Sequence, residues 1–247
     1  MGECIAVVSG KGGTGKTSLT AGVGSALVQG GKRVLCIDCD IGLRNLDLAL
    51  GLTDRALMDF SDVAKGRCTL ASAVVSRSEL SALDLLTAPV RSRGGPVSEA
   101  QFRRLLEDAR QRYDYCLLDA PAGLGGGFQL AVCGADRCIV VTTSDAASLR
   151  DAQHTVMELS RFPRGRLHLV VNRVRKKLMR NMHATIDDAI DSAGLPLLGV
   201  VPEDDQLPLS LNRGVPLLLD QPSPAATAYR NIAKRITGQR VPLMRIK

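Results

Sequence analysis

Residues 10 to 17 read Gly-Lys-Gly-Gly-Thr-Gly-Lys-Thr, directly after the apolar run Ile5 to Val8 and before a stretch of helical character that continues through Leu27. Few sequence features restrict a fold so tightly. The pattern G-x-x-x-x-G-K-[ST] between a strand and a helix is a phosphate-binding loop. Gly12, Gly13 and Gly15 let backbone N–H groups turn inward around an anion, and the helix N-terminus adds partial positive charge. Lys16 reaches the β- and γ-phosphates and the Thr17 hydroxyl ligates Mg²⁺, with Thr14 and Ser18 completing the loop and the first helical turn. Gly10, Gly12 and Gly15 also satisfy G-x-G-x-x-G, with Asp38 about 20 residues on as in a dinucleotide turn. Lys16-Thr17 decides between the two readings, because a triphosphate with Mg²⁺ needs a cation and a hydroxyl there and a dinucleotide needs neither.

The loop sits in a chain of matching organisation. Short runs rich in Val, Ile and Leu recur at Ile5 to Val8, Val34 to Ile37, Leu83 to Leu86, Tyr115 to Leu118, Cys138 to Val141, Leu167 to Val171 and Leu197 to Val201. They read as strands buried on both faces. Segments of helical period lie between most of them: over Ser98 to Tyr113, Phe102, Leu105, Leu106 and Ala109 share a face, and Ser98 with Gln101 makes a capping box. The alternation predicts an α/β fold, a single-domain P-loop NTPase with a mainly parallel twisted sheet of about seven to eight strands and helices on both faces. Its ligand would sit outside the carboxyl ends of the strands. The domain is expected to span residues 1–238, followed by a short basic tail, 239–247. Arg91 to Pro96 reads as a surface loop.

Among 247 residues there are no Trp, three Tyr and four Phe, too few rings for a base-stacking platform. The net charge of +7 is local: Arg161 to Arg180 holds eight Lys or Arg and Arg230 to Lys247 holds six, neither with an acid, so the rest of the chain is acidic. Such a run is usually a solvated face, with a polyanion site as the alternative. An odd count of seven Cys and the absence of a leader-like start point to a reducing, cytoplasmic compartment. No apolar run approaches the length of a membrane-spanning helix.

Three carboxylates fall where such a sheet places its ligand: Asp38 and Asp40 after the second strand and Asp119 after Tyr115 to Leu118. An acid there holds a metal-bound water or orients an attacking one, or merely caps a turn. Cys36 and Cys39 have C-x-x-C spacing without a second pair, and read as packed or nucleotide-adjacent thiols rather than metal ligands. His154, His168 and His183 stand alone, without ligand or triad spacing.

The loop with its extra Lys11, the stretch Asp38-Cys39-Asp40-Ile41-Gly42-Leu43-Arg44-Asn45-Leu46-Asp47, the stretch Asp119-Ala120-Pro121-Ala122-Gly123 and Pro202-Glu203-Asp204 together resemble the deviant Walker A ATPases of the MinD/ParA family. The resemblance runs from about Ile5 to about Gly238, and Ile41 to Asp47 is closer to the MinD branch, which acts in division-site placement, than to the ParA partition branch. It implies an ATPase using ATP and Mg²⁺, with catalytic Lys11, Lys16 and Asp40. Lys11 would reach across a two-fold interface to the partner's nucleotide in an ATP-dependent homodimer, and Asp40 would position the hydrolytic water. Thr17, Asp38 and Asp119 would lie at the metal. Asn172, Arg173, Pro202, Glu203 and Asp204 would frame the adenine, Asn172 being a plain turn former in the absence of the family. Implied partners are a division inhibitor of the MinC kind, an activator such as MinE, and an anionic membrane surface, which would place the protein on the inner face of the cell membrane. The MinD branch's terminal amphipathic helix is not expected here, since Pro242 interrupts the segment Gln239 to Lys247. A ParA-like role in positioning DNA or another cargo, through the basic run, is the alternative.

Overall fold

The computed structural model describes residues 1–90, 95–181 and 185–244. Strand β1 (Glu3–Val8) leads through the glycine-rich loop into α1 (Lys16–Gln29) and then β2 (Val34–Asp38). Three short helices follow, α2 (Leu46–Leu50), α3 (Phe60–Ala64) and α4 (Leu70–Ala73), then β3 (Val75–Ser76) and β4 (Leu83–Leu86). Next come α5 (Glu99–Arg112), β5 (Tyr115–Asp119), α6 (Gly126–Cys133), β6 (Arg137–Thr142), α7 (Ala146–Glu158) and β7 (Leu167–Val174). The chain closes with α8 (Lys176–Asn181), α9 (Ile186–Ala193), β8 (Leu197–Pro202), α10 (Gln206–Asn212) and α11 (Pro224–Ile236).

The strands form one sheet in the order β3-β4-β2-β5-β1-β6-β7-β8. All neighbours are parallel except β3 and β4. The seven apolar runs are seven of its strands; the eighth, β3, is a two-residue edge strand too short to carry a periodicity. Alternation along β1 divides the core, with Cys4, Ala6 and Val8 facing one layer and Ile5 and Val7 the other. The first layer includes Phe102, Leu105, Leu106 and Ala109 of α5, the stripe read from the sequence, and the Ser98–Gln101 capping box is formed. The second layer joins α1 to α11. Tyr229 of α11 lies against Gly22 of α1, where an added Cβ would stand 2.2 Å from the ring, so glycine is what lets the two helices approach. This contact seats α1, and with it the loop at its N-terminus, against the carboxyl edge of the sheet.

Arg91 to Gly94 of the expected surface loop, His183 and residues 245–247 of the tail lie outside the described residues.

Candidate functional site

The N-terminus of α1 opens at Gly15, which has φ of 89° and supplies no side-chain cap, and no acid occupies the first turn. Its first N–H groups therefore have no intrahelical acceptor, and the turn itself carries no acid, the arrangement that attracts an anion. A cleft of about 490 Å³ lies there, lined by the loop residues Gly12, Gly13, Gly15, Lys16, Thr17 and Ser18. Its other walls bring in Asp40 from just after β2, Asn172 and Arg173 from the end of β7, Pro202 from the end of β8, and Glu203 and Asp204 just beyond it. Most of the expected nucleotide-binding residues, far apart along the chain, thus meet at one opening. Thr14 is buried behind the loop.

Lys16 is nearly buried, 7% exposed. Its Nζ donates to Ser9 Oγ at 2.7 Å and to the Lys11 carbonyl at 3.4 Å. Burial pulls its pKa down, against the pull of Asp119 and Asp40 in the other direction. A cation held in low dielectric gains most from an anionic ligand.

Asp38 and Asp119 are cross-strand neighbours on β2 and β5, both almost wholly buried. Burial raises Asp38 to about 6 against hydrogen bonds from the N–H groups of Asp40, at 2.8 Å, and Leu46, at 3.2 Å. Burial and the charge of Asp38 raise Asp119 to about 7, opposed by the Thr17 hydroxyl, by Lys16 and by Thr20, whose hydroxyl donates to it at 3.2 Å. Two adjacent buried carboxylates beside a threonine hydroxyl suit a hard divalent cation, which would relieve their repulsion; the donor set thus fits Mg²⁺, which keeps several waters and takes few protein ligands. Among the described residues no group of three or more His, Cys, Asp or Glu is placed to hold a metal by itself. Asp40, further out on the cleft wall, is also raised by burial, with Lys16 opposing.

Lys11 stands apart from the cleft. Its Nζ pairs with Asp145 Oδ1 at 3.2 Å, both groups partly exposed. Asp145 is the N-cap of α7, accepting from the Ser148 N–H at 3.0 Å. Burial would raise its carboxyl, but hydrogen bonds from Thr143, Ser148 and Lys11 hold it well below the usual carboxylate range.

Asn172 is buried, and its Nδ2 donates to the Thr14 carbonyl at 2.8 Å. Arg173 donates to the Gly13 carbonyl at 3.1 Å and to Glu203 at 3.2 Å, while Arg175 pairs with the same Glu203. Asp204 accepts from the N–H groups of Gln206, at 3.0 Å, and Ala225, at 2.9 Å, joining the cleft wall to the start of α11.

Sequence pattern alone does not single out Ser9, Thr20 and Asp145, or the wall formed by Leu43, Asn45, Val201, Asp205, Leu207, Pro208 and Tyr229. Asp145 carries the signal used for Asp119, an acid just past a strand's carboxyl end; Tyr229 carries none. Cys36 and Cys39 are fully buried. His154 lies in α7, and His168 is half-buried, its pKa lowered by burial and by Arg137. Within the basic run, Arg166 pairs with Glu3, and Arg173 and Arg175 share Glu203.

A parallel sheet with such a loop at its central strand defines a nucleotide-binding α/β domain, and the chain belongs to the CobQ/CobB/MinD/ParA nucleotide binding domain family, which matches residues 5–217. It is 42% identical over 250 residues to the septum site-determining protein MinD of Bacillus subtilis, covering 98% of this chain and 92% of that one. To the protein of the same name from Synechocystis it is 38% identical, covering 99% and 92%. Its fold matches a chain of the Aquifex aeolicus MinC:MinD cell division protein complex with a TM-score of 0.90 at 36% identity, over 98% of each chain. It also matches the septum site-determining protein MinD of Pyrococcus horikoshii complexed with Mg-ADP, with a TM-score of 0.81 at 28% identity, over 96% of each.

Proposed function

We propose that this protein is a Mg-dependent ATPase of the MinD kind, which closes an ATP-dependent homodimer, hydrolyses ATP slowly to ADP and phosphate, and acts as a spatial switch in division-site placement. The observation that carries the reading is the convergence, at one cleft, of an uncapped helix N-terminus, the buried Lys16, the Thr17 hydroxyl and the carboxylate of Asp40. The division-site role is supported by the likeness to septum site-determining proteins, and a MinC-like partner by the likeness to the Aquifex complex.

The loop's N–H groups would bind the β-phosphate. Lys16 would exchange Ser9 Oγ and the Lys11 carbonyl for β- and γ-phosphate oxygens. Thr17, backed by Asp38 and Asp119, would hold Mg²⁺, which when bound neutralises phosphate charge. Asp40 would accept a hydrogen bond from the attacking water and orient it in line with the γ-phosphorus. In the free protomer the Lys11 ammonium is paired with Asp145 and is not part of its own cleft's lining. A second protomer's Lys11 would supply that charge, which makes slow turnover by an isolated chain and stimulation by an activator the natural expectation. At the far end Asn172, Arg173, Pro202, Glu203 and Asp204 would enclose the adenine.

Among the described residues no helix is long and apolar enough to cross a membrane, so the membrane contact we propose is peripheral. The ParA-like alternative depends on free cations in the basic run, and the ion pairs of Arg166, Arg173 and Arg175 lessen their number. Calorimetry with Mg-ATP on the wild type and on Lys16→Ala tests the reading. A charge-assisted phosphate contact is worth about 1.5–3 kcal/mol, so affinity should fall at least about tenfold. Equal affinity in the two proteins would remove the triphosphate from this cleft.

A further inference from the structure

Strand β7 does not end regularly. Val171 pairs with Val200 and Val174 with Pro202, and the register to β8 shifts between them. Within that shift Arg173 has φ of 55°, a left-handed conformation that a residue with a Cβ adopts at a cost. In a regular strand, consecutive side chains leave by opposite faces. Here two consecutive side chains reach one loop: Asn172 Nδ2 donates to the Thr14 carbonyl at 2.8 Å and Arg173 Nη1 to the Gly13 carbonyl at 3.1 Å. The Asn172 amide is itself oriented, because its Oδ1 accepts from the Arg173 N–H at 2.9 Å. The approach is close enough that a Cβ at Gly15 would stand 2.2 Å from Asn172 Nδ2.

We propose that Asn172, assisted by Arg173, is a positioning residue for the phosphate loop, holding it in its anion-binding conformation before nucleotide arrives. A trans peptide points its C=O and N–H in opposite directions. Anchoring the Gly13 and Thr14 carbonyls to the end of β7 therefore aims the N–H groups of Thr14 and Gly15 the other way. Without the anchor, peptides in a segment with three glycines among residues 12 to 15 rotate freely and can turn a carbonyl oxygen toward the phosphates. The strained backbone at Arg173 is what brings both donors to the same side. This role rests on the reading that the cleft takes a phosphate chain, and it differs from reading the base. The acceptor oxygen of Asn172 and one of its two donors are already engaged within the protein.

The test compares wild type with Asn172→Ala in two ways. Hydrogen exchange of the nucleotide-free proteins should show the Thr14 to Lys16 amides exchanging about tenfold faster in the variant, with β1 and β5 unchanged. Calorimetry should show affinity for Mg-tripolyphosphate, which has no base, falling about five- to tenfold, and affinity for Mg-ATP falling by at least that factor. Unchanged loop exchange would overturn the proposal. So would loss of ATP affinity with tripolyphosphate binding intact, which would make Asn172 a base reader alone. If exchange rises throughout the sheet in Asn172→Ala, the smaller perturbation Asn172→Ser decides: a rise confined to the loop supports positioning, and a sheet-wide rise reduces Asn172 to a fold-maintaining residue. A wild type that binds neither ligand would defeat the nucleotide reading, while the exchange comparison would still decide the loop anchor.

Discussion

Asp38 and Asp119 are the residues whose chemistry is most open to a simple experiment. Both carboxyls are raised, to about 6 and about 7, chiefly by burial. A raised carboxyl favours the protonated folded state, so its contribution to stability is present at low pH and is lost as pH rises through the folded value. Stability of the nucleotide-free, metal-free protein should therefore decline between about pH 4 and pH 7, by on the order of a few kcal/mol. Thermal melts across that range should show the decline in wild type and a flatter profile in Asp119→Asn. Excess Mg²⁺ should recover stability at about pH 8 and do little at about pH 5, where the carboxyls hold their protons. A wild-type melting temperature that rises steadily over the same range would mean that these two groups are not the buried pair described.

At the scale of elements, one packed contact and one ion pair adjoin the site. The approach of α11 to α1 depends on Gly22, where any side chain meets Tyr229. Gly22→Ala should cost about 1–3 kcal/mol in denaturant unfolding. Replacing Tyr229 by Leu in that background should return part of it. The second contact is α7's cap on Lys11. Asp145→Asn keeps an oxygen for the Ser148 N–H and removes the charge facing Lys11. Exposed pairs contribute about 1 kcal/mol at most, so a titration of dimer formation against ATP should shift to lower ATP by no more than about fivefold. The elements themselves differ in how well the sequence announces them. Strands buried on both faces show as unbroken apolar runs, and α5 shows through its stripe and capping box, because local pattern and tertiary environment agree there. The phosphate loop is legible for the same reason, since its chemistry is contained in one short run, Gly10 to Thr17. Asn172 is legible only through the family resemblance, and neither its contact with Thr14 nor that of Tyr229 with Gly22 is, because those partners lie at the other end of the chain and nothing local records such a contact. The short helices α2 to α4 and the edge strand β3 hold too few residues to establish a period.

On the scale of the whole molecule, the proposed ATP dimer makes its own predictions. The cleft is walled in part by Leu43, which like Ile41 is substantially exposed, and the Lys11 side chain pairs with Asp145 outside that lining. The described part of the tail, up to Met244, lies back on the molecule: Arg235 donates to the carbonyls of Val241 and Pro242, and Met244 packs on the α1–α11 core layer. One such tail offers little apolar surface and few charges, but two on the proposed ATP dimer would act together through effective concentration and gain about a hundredfold. Cosedimentation with anionic liposomes should accordingly be weak, salt-sensitive and dependent on ATP, and should vanish on deletion of residues 239–247. Binding that survives the deletion would move the surface to the run from Arg161 to Arg180, and DNA binding in its place would favour the partition reading. Whether ATP joins two protomers across Lys11, and whether Asp40 then discharges them, is decided by light scattering coupled to phosphate release, with Mg-ATP, on wild type, Lys11→Ala and Asp40→Ala. The expected results are a stable species of twice the monomer mass with no phosphate release for Asp40→Ala, and a monomer that still binds nucleotide for Lys11→Ala. Dimers of normal affinity in Lys11→Ala would contradict the role of Lys11, and normal turnover in Asp40→Ala that of Asp40.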